Sequence, residues 1–362
     1  MISYWVTQDG SRGIGAYRQN RGLAIADRFE THLYEQIGRE VRITGGAQIF
    51  STLDRLTDCQ RSGVAAIWDA HARAAPHAPR LNDPRRVLLR FQLLKMLHER
   101  GVNAYRVFRA ADLTNIDTFP VFVRHMHDHS GPRTRLLETR GDVARALFAL
   151  RLRGYRLRDL MIVEFRDTSS QDGLFRKFSA FKVGDSIIPS DVMVSHHWCV
   201  KSGRNEPTEE RIREAMKYVD DNPHEEWLQR VCSIGGVDYG RVDFGVLDGV
   251  PQVWEINLNP TIGRETGGQR HSALPASIKR LREEQRESFH SRLRAAFVAL
   301  DIANHDCEIS VTMDEYLLAR LELDAAASRR RARVWSGLAD MCHHPQLGFP
   351  ARAILKLFPR RH

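Results

Sequence analysis

The sequence predicts a chain of mixed α/β and α+β class, and three observations predict it. The first eighty residues alternate short apolar runs with polar helical stretches, the pattern of a small α/β unit. Two alternating apolar segments are each interrupted by a two-residue turn, Gly184-Asp185 and Asp248-Gly249, and read as β-hairpins. Around and after these hairpins the apolar period lengthens to that of helices.

Taken in order, Ser3–Thr7 and Ala65–Trp68 read as strands and Leu23–Gly38 as an amphipathic helix. Asp83 can cap a helix with Pro84 at its first position, where the missing N–H costs nothing. Val87, Leu88, Phe91, Leu94 and Leu97 then repeat at helical spacing up to the stop at Gly101. Phe119–Val123 reads as a strand, Asp142–Arg153 as a helix and Leu160–Phe165 as a buried strand. The first hairpin joins Leu174–Val183 to Ser186–Val194. Two helices follow, Pro207–Asp220 and Pro223–Ile234, and then the second hairpin, Gly240–Leu247 with Gln252–Ile256. Beyond Ser272 the pattern turns helical over Ala276–Leu300 and Thr312–Arg333 and ends in an irregular basic tail.

The 362 residues are enough for two or three domains. A hydrophobic share of 42% and a charged share of 27% are those of an ordinary globular protein. There is no apolar run of membrane-spanning length and no secretory leader pattern at Met1–Thr7, so a cytoplasmic protein without membrane partners is expected. Cys59, Cys199, Cys232, Cys307 and Cys342 lie scattered without metal spacing, which points to reduced, mostly buried thiols. The net charge is +9, and residues 270–362 contribute sixteen Lys/Arg against eleven Asp/Glu. Without a nucleic-acid motif, that charge ranks nucleic acid well below a phosphorylated small ligand.

The chemistry concentrates in the second hairpin. Strand side chains alternate, so Arg241 and Asp243 share a face, as do Glu255 and Asn257, and one face of the hairpin is expected to present an Arg, two carboxylates and an amide at its open end. Val242, Phe244, Trp254 and Ile256 between them are apolar and pack against another layer. Mg²⁺ takes hard oxygen ligands, usually one or two carboxylates with phosphate oxygens and water. Asp243, Glu255 and Asn257 offer that set. Arg241 beside them suits the charge that develops on a transferring phosphoryl group.

Arg241-Val242-Asp243-Phe244-Gly245 followed by Glu255-Ile256-Asn257-Leu258-Asn259-Pro260 resembles the metal-binding end of the ATP-grasp superfamily. That superfamily includes carboxylate–amine ligases such as D-alanine–D-alanine ligase and glutathione synthetase. The resemblance runs over about residues 80 to 263. Asn82-Asp83-Pro84 is similar to the opening of the family's central subdomain, and Phe119–Arg124 to its Pro-x-x-x-Lys strand. Met161–Phe165 is similar to the linker strand whose backbone meets adenine, and Leu174–Ile188 to the hairpin that brings a basic residue to the phosphates.

The resemblance implies an ATP-grasp fold with an N-terminal α/β unit over 1–80 and a central subdomain over 81–158. A C-terminal subdomain with the Mg²⁺ site over 159–270 and a helical basic extension over 271–362 complete it. It implies ATP with one or two Mg²⁺ (or Mn²⁺) as cofactors, with Asp243, Glu255 and Asn257 on the metal and Arg241 facing an acyl phosphate. Arg90, Arg124, Glu164 and one of Arg176 or Lys177 are then nucleotide contacts. The activity implied is an ATP-dependent ligase that joins a small-molecule or peptide carboxylate to an amine. Phosphotransfer of the kinase type and a non-catalytic nucleotide-binding module are the alternatives, and the helical tail is compatible with a homodimer.

Two departures from the family stand out. Arg occupies positions 90 and 124 where Lys is usual, which keeps the charge but is bulkier and bidentate toward phosphate. His125-Met126-His127-Asp128-His129-Ser130-Gly131 replaces the glycine-rich loop. Its alternating histidines admit a transition metal, but spaced partners are lacking, and a place near the triphosphate is the preferred reading. Gly10-Ser11-Arg12-Gly13-Ile14-Gly15 resembles the nucleotide loop of short-chain dehydrogenases. None of the eight tyrosines is followed four residues later by Lys, so the dehydrogenase reading is rejected.

Overall fold

In the computed structural model the described residues are 1–128, 130–201, 208–262, 275–301, 307–324 and 326. Their elements run β1 (Ile2–Val6), α1 (Ser11–Gln19), β2 (Phe29–Leu33), β3 (Glu40–Thr44), β4 (Ala47–Phe50), α2 (Asp58–Ala74), β5 (Arg80–Leu81) and α3 (Arg90–Glu99). Then come β6 (Val107–Arg109), β7 (Val121–His125), α4 (Arg140–Leu152), β8 (Leu160–Glu164), β9 (Phe175–Val183) and β10 (Ser186–Ser195). The series ends with α5 (Glu209–Asp221), α6 (Glu225–Gly235), β11 (Tyr239–Leu247), β12 (Val250–Asn257), α7 (Ala276–Leu300) and β13 (Glu308–Thr312). The class is mixed α/β, as expected.

The chain divides into two compact units. Among the described residues the larger holds 1–103 and 167–318, the smaller 104–166 with 319–324 and 326. In the larger unit a parallel sheet has the order β2-β1-β4-β5. An antiparallel sheet, β10-β9-β11-β12, carries both predicted hairpins. One core joins them. Ile2, Tyr4, Val6 and Ile49 of the parallel sheet pack with Phe181, Val183 and Tyr239 of the antiparallel one and with Phe289, Leu293 and Phe297 of α7.

On its opposite face the antiparallel sheet buries aromatic side chains. Phe244 stacks on Phe178 at 5.4 Å and meets Trp227 of α6 at 5.3 Å, while Phe178 meets Tyr218 of α5 at 5.1 Å. Burial of such rings contributes several kcal/mol each and fixes which face of β11 is left for polar residues.

In the smaller unit β6-β8-β7 form an antiparallel sheet. Val143, Leu147 and Leu150 of α4 pack on Val121, Val123, Leu160 and Ile162.

Asn82 ties the two sheets of the larger unit together. It is fully buried with φ at +69°, a conformation that Asn tolerates better than most residues. Its Nδ2 donates to the carbonyls of Phe50 (3.1 Å) and Tyr239 (2.8 Å), and its Oδ1 accepts from the amides of Asp238 and Tyr239, both at 2.9 Å. One side chain thus joins the end of β4 to the start of β11.

Several sequence expectations are corrected. Ala65–Trp68 is not a strand but lies within α2. A capping box of Thr57 and Gln60 starts that helix, and Val64, Ile67 and His71 recur on its buried face. A four-residue apolar run does not separate strand from helix. Leu23–Gly38 is not one helix. A 3₁₀ turn over Leu23–Arg28 leads into β2, whose five-residue parallel ladder with β1 overrides helical propensity. The helix expected from Pro84 starts at Arg90. Asp83 caps a turn instead, its Oδ1 accepting from Arg85 N at 2.9 Å, and Leu88 N is drawn to the carbonyl of Gly235 at 2.9 Å. Of the cysteines, Cys232 alone among the described ones is buried. Cys59 and Cys199 are half-buried and Cys307 is exposed, so thiols buried as a group is corrected.

Cys342, the basic tail, the start of the Pro207–Asp220 helix and the end of the Thr312–Arg333 helix lie outside the described residues. Thr312 itself closes β13, and residues 315–324 are helical. No helix among the described residues is long and apolar enough to cross a membrane.

The capping box of α2 offers a first test. Thr57→Ala removes one hydrogen bond of the box and should lower stability by about 1 kcal/mol, read by urea unfolding. No measurable change would mean that packing alone sets the start of this helix.

Candidate functional site

β11 and β12 meet at Asp248-Gly249, whose φ angles are +49° and +80°. Leu247 pairs directly with Val250, so this is the two-residue turn that Asp-Gly favours because it needs positive φ at both positions. From the turn the register runs through Val246↔Pro251, Gly245↔Gln252 and Phe244↔Val253. Continued without interruption it would set Trp254 opposite Asp243 and turn Glu255 to the other face of the sheet.

The ladder is interrupted. Between Phe244 and Asp243 it slips by one residue, so Asp243 pairs with Glu255, Val242 with Ile256 and Arg241 with Asn257. Trp254 is the extra residue of this β-bulge, a device that re-aims side chains beside functional sites. Its ring lies over Gly245, where an added Cβ would stand 2.9 Å from Trp254 Cζ2. The bulge is what gathers Arg241, Asp243, Glu255 and Asn257 on one face.

Along β11 that face begins with Tyr239, buried in the core, and passes to Arg241 and Asp243. The Asp243 side chain is only 4% exposed. Arg241 grips it in bidentate fashion, Nε to Oδ1 at 2.7 Å and Nη2 to Oδ2 at 3.1 Å. Lys177 of β9, on the same face, donates from Nζ to Oδ2 at 3.1 Å. Burial alone would lower the pKa of Arg241. The charge of Asp243 and the bonds to it outweigh burial, with Glu255 and Asp191 adding to them, and the guanidinium is held above its usual value. Arg90, the first residue of α3 and itself buried, places Nη2 2.8 Å from Glu255 Oε2. Asn257 Oδ1 accepts from Asn259 N at 3.0 Å.

Asn259 anchors the strand end. Its Oδ1 lies 3.2 Å from Tyr4 Oη and 3.1 Å from Ser51 Oγ, and Tyr4 Oη lies 3.1 Å from Tyr239 Oη. Burial pushes the Tyr4 hydroxyl up to about 12, and the bonds to Ser51 and Tyr239 offset this only in part. Asn259 Nδ2 donates to the carbonyl of Gly10 at 3.1 Å. A Cβ at Gly10 would meet that same nitrogen at 2.8 Å, so the backbone approach requires glycine. The glycine-rich segment after β1 therefore serves as a seat for the end of β12. Tyr4, Ser51 and Asn103 were missed by sequence reasoning. Asn103, whose side chain bonds both backbone groups of Val253 at the bulge (2.9 and 3.1 Å), carries no sequence signal of that role.

The other expected residues are distributed as follows. Arg176 and Lys177 do point to opposite faces, and the structure separates their tasks. Arg176 bonds Asp172 (3.1 and 2.8 Å) and Glu214 of α5 (2.6 Å), while Lys177 stands with Asp243. Arg124 lies on β7 in the smaller unit, paired across to Met161. Glu164 ends β8 in the same unit and is fully buried. Its Oε1 accepts from Arg106 Nε at 2.8 Å and its Oε2 from the Arg106 amide at 2.8 Å, with Arg166 at 3.4 Å.

His125 and His127 meet edge to face at 5.9 Å, and His129 lies outside the described residues. Burial lowers the pKa of His125 against the pull of Asp128 and Asp159. Among the described residues no group of three or more His, Cys, Asp or Glu gathers as a metal cage.

The donor set on the hairpin fits Mg²⁺ with nucleotide phosphates. Two carboxylates in direct cross-strand register and one amide oxygen are hard ligands too few to complete an octahedron. The three cations around them match phosphate oxygens in number and sign.

No protein-family model and no curated protein matches the chain. Solved structures do. The D-alanine–D-alanine ligase of Bacillus anthracis is 11% identical, with a TM-score of 0.41 over 81% of this chain and 98% of that one. A RimK-domain ATP-grasp protein of Sphaerobacter thermophilus is 13% identical, with a TM-score of 0.44 over 83% and 99%. The ATP-grasp ligase PsnB, complexed with a phosphomimetic variant of its minimal precursor, Mg and ADP, is 13% identical, with a TM-score of 0.46 over 83% and 96%.

Proposed function

We propose that this protein is an ATP- and Mg²⁺-dependent ligase that joins a carboxylate to an amine through an acyl phosphate. The observation that carries the proposal is the bulged register of β11 and β12, which sets Asp243 against Glu255 and Arg241 against Asn257 on one face. A solvated edge hairpin has no need of a bulge that turns two carboxylates inward toward each other.

In this reading Asp243, Glu255 and Asn257 hold the metal. When bound, Mg²⁺ neutralises charge on the transferring phosphoryl group and aligns it. Lys177 and Arg90 receive phosphate oxygens. Arg241 faces the oxygen through which the carboxylate attacks and stabilises the charge spreading over the phosphoryl oxygens. Glu164 is left with Arg106, which already occupies both its oxygens. The subdomain division at residues 80, 158 and 270 is part of the proposal.

The reaction needs no side-chain nucleophile. The substrate carboxylate attacks the γ-phosphorus, ADP leaves, and the amine then displaces phosphate. Hydroxylamine tests this directly. With ATP, Mg²⁺ and a panel of carboxylic acids it should trap the activated acyl group as a hydroxamate, with ADP formed in equal amount. ADP with a stable phosphorylated product and no hydroxamate would instead establish phosphotransfer.

A further inference from the structure

We propose that Lys177 and Arg241 are exchange counter-ions. They hold Asp243 while the nucleotide is absent and pass to its phosphates when it arrives, so the divalent metal binds more tightly together with nucleotide than alone. The inference rests on the nucleotide-binding reading above and adds an order of events to it.

It comes from what already occupies the metal-facing oxygens. Both oxygens of Asp243 accept from cations, Oδ1 from Arg241 and Oδ2 from Arg241 and Lys177. Glu255 is paired with Arg90. A divalent cation that approached these carboxylates alone would have to share their oxygens with a guanidinium and an ammonium. Those groups repel it, and they would be stranded, largely buried, if it displaced them. Asp191, on the neighbouring part of the same face, does not relieve this. Its Oδ1 accepts from the amide of Val192 at 2.9 Å and lies 3.3 Å from Gln285 of α7.

A polyphosphate changes the balance. It offers the displaced cations new anionic partners and at the same time brings oxygens that complete the metal's shell. Metal and nucleotide then strengthen one another's binding, and by linkage the two effects are equal. Lys177 is the more readily exchanged of the two cations. It makes one bond to Asp243 at the end of a flexible stem, whereas Arg241 makes two.

This assigns Lys177 a double signature that a merely structural lysine lacks. Losing its charge should improve metal binding without nucleotide and weaken nucleotide binding. The experiment is a Mn²⁺ titration followed by electron paramagnetic resonance, on the full chain, with and without AMPPNP. Wild type should bind Mn²⁺ weakly alone and at least about tenfold more tightly with AMPPNP. Lys177→Gln should bind Mn²⁺ alone more tightly than wild type and AMPPNP more weakly, while Lys177→Arg should follow wild type in the metal-only titration.

Wild type that binds Mn²⁺ equally with and without AMPPNP would overturn the exchange and leave the nucleotide site standing. So would a Lys177→Gln protein that loses AMPPNP without gaining Mn²⁺. If wild type binds no AMPPNP under any condition, the nucleotide reading itself fails, and the exchange with it.

Discussion

Replacing Asn82 with alanine should lower the stability of the larger unit by about 4 kcal/mol, because four backbone groups, three of them buried, lose their partners at once. The carbonyls of Phe50 and Tyr239 and the amides of Asp238 and Tyr239 all bond this one side chain at 2.8–3.1 Å. Each buried group left unsatisfied costs about 1–3 kcal/mol, and backbone relaxation recovers part of the sum. Alanine also tolerates a φ of +69° less well than Asn. Denaturant unfolding measures the loss. A cost below about 1 kcal/mol for the alanine would show that β4 and β11 are held together by the apolar core alone.

Asp243→Asn should abolish Mg²⁺-dependent nucleotide binding while the chain remains folded. The substitution preserves shape but removes the charge that three ionic hydrogen bonds converge on. Arg241 and Lys177 then face one another across a neutral amide, which should cost roughly 2 kcal/mol of stability given that both retain some exposure. The loss of binding should be at least about a hundredfold, since a neutral amide oxygen replaces a carboxylate both as metal ligand and as the group that orients Arg241. Glu255→Gln should act in the same direction through Arg90. Calorimetric titration with AMPPNP, run well below the unfolding temperature of each variant, separates the binding effect from the stability effect. An Asp243→Asn protein that binds as wild type does would remove Asp243 from the site.

What the sequence made legible follows from how local each signal is. The two hairpins were readable because Gly184-Asp185 and Asp248-Gly249 mark two-residue turns within alternating segments. The i, i+2 pairs Arg241/Asp243 and Glu255/Asn257 were readable from strand alternation. That the two pairs share one face was expected as well, but alternation does not give it, because from this turn an unbroken ladder sets them on opposite faces. The slip at Trp254 has no local signature beyond a glycine beneath the ring.

The choice between Lys177 and Arg176 needed the partners that β11 and α5 bring, Asp243 and Glu214. Ala65–Trp68 and Leu23–Gly38 failed for a related reason. Their apolar content was right, but a capping box at Thr57 and a parallel ladder along β1 decided the backbone. The roles of Asn82, Asn103 and Asn259 are long-range by nature, since each bonds backbone 32 to 249 residues away.

The measurement that tests the central claim most directly is the unfolding temperature of the wild-type chain with ATP, with and without Mg²⁺. A ligand that binds only the native state stabilises it by about 2.7 kcal/mol at one hundred times its dissociation constant. The bulged hairpin site predicts a rise with ATP that grows when Mg²⁺ is present and disappears in the Asp243→Asn/Glu255→Gln protein. An ATP shift indifferent to Mg²⁺ and to both substitutions, or no shift at all, would contradict it.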